Sequence, residues 1–352
     1  MIDYRHHPET RFAGIGDLTL ESGAALANVT VAYRTWGELD ACRDNAVVVC
    51  HALTGDANVD EWWPGLIGPG RPLDTDRFFV VASNVVGGCY GSTGPTSIDP
   101  ATGDRYGADF PAVSIRDMVE AQRRLVDHLG IRSIAAVLGG SMGGMQVLEW
   151  AAADPDRVRS IVPIAVGADH SAWCIGISEA QRQAIAADPA YAGGRYDPTA
   201  QPERGLSIAR QIGMITYRSP ESFATKFHRS AEHDRYRVES YLRYQGAELV
   251  GRFDANTYVG LTRSMDSHDI GRDRGTVDQA LAALTMPATV IGITSDVLYP
   301  LAEQRHLAER LPNGRLATLD VPHGHDGFLI ETEAVGELVT EALRASQPCL
   351  AA

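Results

Sequence analysis

The segment IAAVLGGSMGGMQVLEWAA, residues 134–152, constrains the fold of this chain more than any other part. Its apolar start, Ile134–Leu138, is typical of a strand buried on both faces, and a helical pattern follows Gly143. Between them lies a G-x-S-x-G sequence, which is typical of a tight turn from strand to helix. Glycine is needed two residues on either side of Ser141, because side chains there would collide. The pattern predicts that Ser141 lies at the carboxyl end of a strand, next to a helix N-terminus that favours negative charge.

A G-x-S-x-G sequence is weak evidence by itself, because 35 of the 352 residues are glycine and chance matches are common. The alternative is a glycine-rich turn in which Ser141 only caps the following helix. The buried strand before the sequence and the helix after it favour the other interpretation, in which Ser141 is a nucleophile.

Short apolar runs alternate with helical patterns along most of the chain. The runs with the character of buried strands are Ala46–Cys50, Phe78–Ser83, Ile134–Leu138, Ile161–Val166 and Ala288–Thr294. A helical pattern, Ser114–Leu129, opens with a serine suited to cap it. This alternation predicts an α/β fold with a mostly parallel sheet flanked by helices. It stops between residues 168 and 285, where helical patterns dominate. We therefore predict a core domain of residues 1–167 and 286–352, with an inserted helical lid domain at 168–285.

Composition excludes several classes of partner. The 31 basic and 45 acidic residues give a formal charge of −14, which argues against a nucleic-acid partner. Neither a stretch of about 18 apolar residues nor the apolar centre of a signal peptide is found, so we expect no membrane association. The cysteines are odd in number and widely spaced, which favours free thiols in a reducing cytoplasm; they are Cys42, Cys50, Cys89, Cys174 and Cys349.

Two residues near the end of the chain fit the remaining parts of a catalytic triad. Asp296 follows the strand-like run Ala288–Thr294, and His325 follows a later strand-like run, RLATLDV. The order Ser, Asp, His is that of α/β hydrolases. His325 would take the proton of Ser141 while Asp296 holds the imidazole in the required tautomer. Asp296 as a helix cap and His323 as the base remain alternatives. The pair of histidines lacks the ligand spacing of a metal site, so we expect no metal.

The same fold requires two backbone N–H groups that stabilise an oxyanion. One is expected from Met142, directly after the nucleophile. The other is expected from the loop His51–Asp56 that follows the strand Ala46–Cys50, and Leu53 is our choice within it. An ordinary turn is the alternative for this loop.

Several longer motifs make the chain resemble one known family, the homoserine O-acetyltransferases of the α/β-hydrolase superfamily. The likeness covers roughly residues 12–345 and is nearest to the actinobacterial branch. The motifs that carry it are HALTGD, NVVGGCYGSTGP, LGGSMGGMQVLEWA, VESYLRYQG, RFDANTY, SHDIGRDRG and GHDGFL. The resemblance implies an α/β-hydrolase fold and transfer of acetyl from acetyl-CoA to L-homoserine, as a step of methionine biosynthesis.

The resemblance also implies residue roles. It implies ping-pong chemistry through an acetylated Ser141, and it selects His325 over His323 as the base. It matches Arg210 to the arginine that binds the homoserine carboxylate, with Tyr217 near it. It matches Asp326 to the acid that receives the substrate ammonium, and it places Thr54 at the same pocket. Without the resemblance, these four would be a solvated arginine, a core tyrosine, a helix cap and a turn residue.

The resemblance implies acetyl-CoA as co-substrate without a permanently bound cofactor, and a homodimer assembled through the lid helices. Three other functions remain open. A sister acyltransferase could use succinyl-CoA or accept L-serine, since one methylene separates substrates by only about 1–3 kcal/mol. A carboxylester hydrolase would pass the acyl group to water. A noncatalytic binding protein is disfavoured, because such a protein has no reason to keep Ser141, Asp296 and His325 together.

Overall fold

One eight-stranded sheet organises the protein, as described by a computed structural model over residues 7–232 and 234–346. The strands are β1 (Arg11–Gly14), β2 (Thr30–Trp36), β3 (Ala46–Cys50), β4 (Phe79–Ser83), β5 (Ile134–Gly140), β6 (Ile161–Ile164), β7 (Ala288–Ile293) and β8 (Gly314–Leu319). Their order across the sheet is β1-β2-β4-β3-β5-β6-β7-β8. Neighbours from β4 to β8 pair in parallel, whereas β1 and β2 are antiparallel. The prediction of a mostly parallel sheet is confirmed.

The five buried runs found in the sequence form β3 to β7, with boundaries within two residues of those predicted. Strands β1 and β2 were not predicted. Strand β2 contains Arg34, which interrupts its apolar character. The guanidinium is nonetheless buried, because it pairs with Asp60 at 2.5 Å and with Glu9 at 2.6 Å. Pairing of this kind permits a buried charge that sequence hydrophobicity does not reveal.

The helices cover both faces of the sheet and fill the connection between β6 and β7. They are α1 (Val59–Trp62), α2 (Ile115–His128), α3 (Met142–Ala153), α4 (Ala172–Ala186), α5 (Glu203–Tyr217), α6 (Pro220–Phe227), α7 (Arg237–Val250), α8 (Ala255–Asp266), α9 (Val277–Ala282), α10 (Leu301–Arg310), α11 (Gly327–Ile330) and α12 (Thr332–Ser346). Ser114 caps α2 as predicted, in a capping box with Asp117.

The core has two parts that lie on opposite faces of the sheet. One contains Met118 of α2 and Trp150 of α3, and the other contains Val335 and Val339 of α12. Strand β5 contributes to both parts, since Val137 belongs to the first and Leu138 to the second. Burial on both faces explains why the central strands are continuous apolar runs.

Residues 165–287 form a helical insertion that carries α4 to α9 and leaves the sheet after β6. Helix α5 packs between α4 and α7. The insertion also contains one short pair of strands, Ala231–Glu232 with Arg235–Tyr236, which the sequence analysis did not predict. The division into domains at 168 and 285 stays a prediction.

Four cysteines within the described residues are free thiols, and Cys349 lies outside them. In the same part of the chain, no helix has both the length and the apolar character needed to cross a bilayer. Nor do any three His, Cys, Asp or Glu side chains of residues 7–232 and 234–346 converge into a group suited to hold a metal ion.

Candidate active site

Ser141 occupies a strained turn between β5 and α3. Its backbone has φ 57° and ψ −124°, a conformation that side chains rarely adopt outside functional sites. The turn is held by its N–H, which donates to the carbonyl of Ile164 on β6 at 2.9 Å. A Cβ atom on Gly139 would lie 2.5 Å from the carbonyl oxygen of Cys50, and one on Gly143 would overlap the same oxygen. The strand-to-helix turn therefore requires both glycines.

His325 and Asp296 come together from two loops that follow neighbouring strands. Asp296 lies after β7 and His325 lies after β8, in a short turn before α11. The Nδ1–H of His325 donates to Oδ2 of Asp296 at 2.7 Å. The other carboxylate oxygen accepts the backbone N–H groups of Leu298 at 2.8 Å and Tyr299 at 3.0 Å. Asp296 is thus held rigidly by its own loop and fixes the imidazole.

The environment of His325 suits a general base. Burial alone would lower the pKa of His325, but the charge of Asp296 and the hydrogen bond to it raise that pKa above the ordinary histidine value. Its Nε2 is buried and finds no hydrogen-bond partner among the described residues. His323 differs, since its Nε2 lies 2.9 Å from Glu331 at the surface.

Three aromatic side chains surround the imidazole of His325. The ring centroids of Tyr299, Phe328 and Tyr217 lie 5.3, 5.7 and 5.9 Å from that of His325. The hydroxyl of Tyr299 lies 3.0 Å from Nδ1 of His170, which holds the tyrosine in place. The imidazole therefore sits in an apolar setting, where its bond to Asp296 is strengthened by the low local dielectric.

The loop after β3, residues 51–56, is bonded to the core and to the insertion. Gln146 of α3 donates to the carbonyl of His51 at 3.2 Å. Arg252 of the insertion donates to the carbonyl of Thr54 at 2.8 Å. Leu53 is buried. Within the part of the chain that the structure describes, the N–H groups of Leu53 and Met142 have no hydrogen-bond acceptor. The two predicted oxyanion donors are therefore unused by the fold.

A second group of polar residues lies next to His325 on the side of the insertion. The guanidinium of Arg210 on α5 lies 5.5 Å from the ring centroid of Tyr217, at the end of the same helix. Asp326 lies 3.2 Å from Nε of Arg218, the residue after α5. Burial raises the pKa of Asp326, while the charges of Arg218 and Arg210 act in the opposite direction. The site thus presents a carboxylate and two guanidinium groups close to His325.

Sequence reasoning missed Arg218. The residue is separated from Asp326 by about a hundred positions, and no motif joins the two. The only available signal was its position beside Tyr217, directly after a helix that was already assigned to the pocket.

The chain matches known proteins in both sequence and structure. Residues 45–332 match the family described as alpha/beta hydrolase fold. A homoserine O-acetyltransferase from Chlorobaculum parvum is 51% identical over 334 residues, which cover 95% of this chain and 94% of that protein. A crystal structure of homoserine O-acetyltransferase from Bacillus anthracis aligns with a TM-score of 0.88 and 25% identity, covering 95% of this chain and 97% of that one. The structure of esterase E22 also aligns at 0.88, with 27% identity and coverage of 95% and 99%.

Proposed function

The chain belongs to the homoserine O-acetyltransferase family of the α/β hydrolase fold, and from this membership we propose how its own residues perform the reaction. The enzyme transfers an acetyl group to the hydroxyl of homoserine, a step of methionine biosynthesis. We propose acetyl-CoA as the donor, L-homoserine as the acceptor, and Ser141, His325 and Asp296 as the catalytic triad. The observation that carries the assignment of the triad is the 2.7 Å hydrogen bond between the buried His325 and Asp296. The next residue in the chain, Asp326, forms a charged pair with Arg218.

In the first half-reaction, Oγ of Ser141 attacks the thioester carbonyl of acetyl-CoA while Nε2 of His325 takes its proton. The tetrahedral intermediate places its negative oxygen between the N–H groups of Leu53 and Met142. The carbon–sulfur bond then breaks, and His325 returns the proton to the departing CoA thiolate. Acetyl-serine and free CoA are the products.

In the second half-reaction, Nε2 of His325 takes the hydroxyl proton of homoserine, and the hydroxyl oxygen attacks the acetyl carbonyl. The same two N–H groups hold the oxyanion. The ester bond to Ser141 breaks, and the proton on His325 passes to Oγ. O-Acetyl-L-homoserine leaves, and the free serine is restored.

The acceptor is held by charge on both sides of its α-carbon. Arg210 binds the carboxylate, because a guanidinium fork matches the two carboxylate oxygens. Asp326 receives the ammonium group, and the partial burial of both residues strengthens these contacts. Tyr217 and Thr54 line the same pocket.

Hydrolysis of acetyl esters is a second candidate, favoured by the close structural match to esterase E22. The two functions share the first half-reaction and differ only in the acceptor. The charged groups Arg210, Arg218 and Asp326 near His325 favour an amino acid over water as acceptor. A succinyl donor or a serine acceptor would use the same residues. Kinetic comparison with acetyl-CoA and L-homoserine distinguishes these alternatives.

The test mixes the protein with acetyl-CoA and a thiol reagent, with and without L-homoserine, and identifies the product by mass spectrometry. Release of CoA that depends on homoserine, together with O-acetylhomoserine, supports the proposal. Equal release without an acceptor would identify a hydrolase. Faster turnover with succinyl-CoA or L-serine would identify a sister acyltransferase. The Ser141→Ala variant is the negative control and should lose about 10⁵- to 10⁶-fold in kcat.

We also propose a homodimer in the cytoplasm, joined through the helical insertion. Five large apolar residues on α4, α5 and α7 are exposed, and association would bury them; they are Trp173, Ile175, Ile208, Ile215 and Tyr244. Light scattering of the wild type and of an Ile215→Glu variant tests this interface. A monomeric wild type would contradict it.

A further inference from the structure

The geometry points to His51 as a positioning residue that aims the N–H of Leu53 into the oxyanion site. This inference rests on the proposed function only in taking Leu53 as one of the two oxyanion donors. It adds a residue to which neither the motifs nor the catalytic triad assigned any role.

The ring of His51 is bonded at both nitrogens. The backbone N–H of Val85, just after β4, donates to Nε2 at 3.2 Å. Since an N–H can only donate, Nε2 must carry a lone pair, and the proton of the neutral ring is on Nδ1. Nδ1 lies 2.8 Å from the carbonyl oxygen of Ala52 and therefore donates to it. The side chain is buried, and burial lowers the pKa of His51, so the ring keeps this neutral form.

The carbonyl of Ala52 belongs to the same peptide unit as the N–H of Leu53. This unit is planar and trans, so its C=O and N–H point in opposite directions. The N–H of Gly55 also donates to the Ala52 carbonyl, at 2.9 Å. Two donors thus hold one end of the peptide on the core side, and the Leu53 N–H is directed away from them. Fixing the carbonyl fixes the oxyanion donor.

The same ring connects the loop to the sheet. Val85 follows β4 and His51 follows β3, and the two strands are parallel neighbours. The carbonyl of His51 is held separately by Gln146 of α3, the helix that begins directly after Ser141. Ser141 and the loop are therefore both attached to the same rigid part of the core. A donor that is already aimed requires no reorganisation when the oxyanion forms, which is where electrostatic catalysis gains most.

Two variants of His51 separate the contacts made by the ring. Asparagine places an amide N–H near the position of Nδ1 and can keep the bond to Ala52. Glutamine places its amide oxygen near Nε2 and keeps the bond to Val85, but it loses the short bond to Ala52. His268 is an equally buried histidine beside Glu149 (3.9 Å from Nδ1 to Oε1), and His268→Gln is the matched control for loss of a buried ring.

The experiment measures acetylation of Ser141 by p-nitrophenyl acetate and by acetyl-CoA, and the affinity for ethylboronic acid, whose tetrahedral serine adduct mimics the oxyanion. We expect His51→Gln to lower both acetylation rates and the boronate affinity about 10- to 100-fold, since loss of a whole donor costs about 10²- to 10³-fold. The KM for homoserine should not change. His51→Asn should recover most of the loss, and His268→Gln should leave the boronate affinity at the wild-type value.

Equal losses in His51→Asn and His51→Gln, or a boronate affinity that follows stability in all three variants, would overturn the inference. If His51→Gln does not fold, ¹⁵N-histidine NMR of the wild type decides instead. We expect His51 to carry its proton on Nδ1 at neutral to alkaline pH, whereas a proton on Nε2 would contradict the inference. A wild type that is acetylated by the ester but transfers nothing to homoserine would refute the acceptor and leave this test intact.

Discussion

His325 and Asp326 are consecutive in the chain, but their side chains have different charged partners. His325 is bonded to Asp296 at 2.7 Å, and Asp326 lies 3.2 Å from Arg218 of the insertion. One short turn therefore carries both the proposed proton-transfer group and a group suited to an amino-acid acceptor. Variants on the two sides of this turn should affect different half-reactions.

Asp296→Asn should lower kcat/KM for acetyl-CoA by about 10³- to 10⁴-fold, because an amide cannot hold the required tautomer of His325. In the wild type, the base must be neutral, and its pKa is raised, so kcat/KM should increase with pH through an apparent pKa above 6.5. Stopped-flow release of CoA from pH 5 to 9 measures both effects. Asp320→Asn, at an exposed carboxylate after β8, is the control. A wild-type apparent pKa below 6.5 would contradict the upward direction of the His325 pKa shift.

Arg210→Ala should raise the KM for homoserine roughly 30- to 150-fold, since a hydrogen-bonded charge is worth about 2–3 kcal/mol. Acetylation of Ser141 by acetyl-CoA should be unchanged, because that half-reaction precedes acceptor binding. Single-turnover CoA release and steady-state homoserine kinetics measure the two separately. Arg204→Ala, at an exposed position on the same helix α5, should alter neither. An unchanged KM in Arg210→Ala would refute the assignment.

Glu303→Gln should stabilise the protein at alkaline pH. Burial and the charges of Asp169 and Asp296 raise the pKa of Glu303 to about 7. The folded state therefore holds this proton more tightly than the unfolded state, and stability falls as pH rises from about 4.5 to 7. Allowing for its partial exposure, we expect the variant to gain about 1 kcal/mol at pH 8 and only a small part of that at pH 5. Thermal unfolding at the two pH values measures this, and an equal gain at both would disprove the cause.

Gly143→Ala and Gly176→Ala should have opposite effects on stability. A Cβ on Gly143 would overlap the Cys50 carbonyl, so the variant should lose more than about 3 kcal/mol or fail to fold. A Cβ on Gly176 in α4 meets nothing within 4 Å, so alanine there should gain about 0.5–1 kcal/mol. Denaturant unfolding of both variants is the measurement. A stable, active Gly143→Ala enzyme would show that the turn at Ser141 tolerates a side chain.

Sequence was sufficient for the parts of the fold that rest on local pattern. Strands buried on both faces are continuous apolar runs, and the turn at Ser141 needs glycine at fixed offsets, so both can be recognised without coordinates. Strand β2 could not, because the charge of Arg34 is buried in ion pairs with Glu9 and Asp60 that are distant in the sequence. Such ion-pair partners meet only in the folded chain, so they leave no periodic pattern in the sequence.

For the candidate site, the sequence likewise predicted the features that depend on chain order and on motifs. Chain order placed Asp296 and His325 after late strands, and the structure brings them to 2.7 Å. Arg218 was missed because it lies in the insertion, whereas its partner Asp326 lies after β8. His51 was passed over as part of a loop motif, since only the coordinates show which atoms its ring contacts.

The insertion between β6 and β7 makes up most of the roughly 180 residues of chain that separate Ser141 from His325. At a synthesis rate of about 5–20 residues per second, Ser141 leaves the ribosome roughly 10–40 s before His325. During that interval the imidazole of His325, which we propose as the base, has not yet emerged. We therefore expect a nascent or truncated chain that ends before β7 to leave Ser141 unacetylated by acetyl-CoA. Acetyl transfer should therefore begin only after the part of the chain that carries His325 has been synthesised.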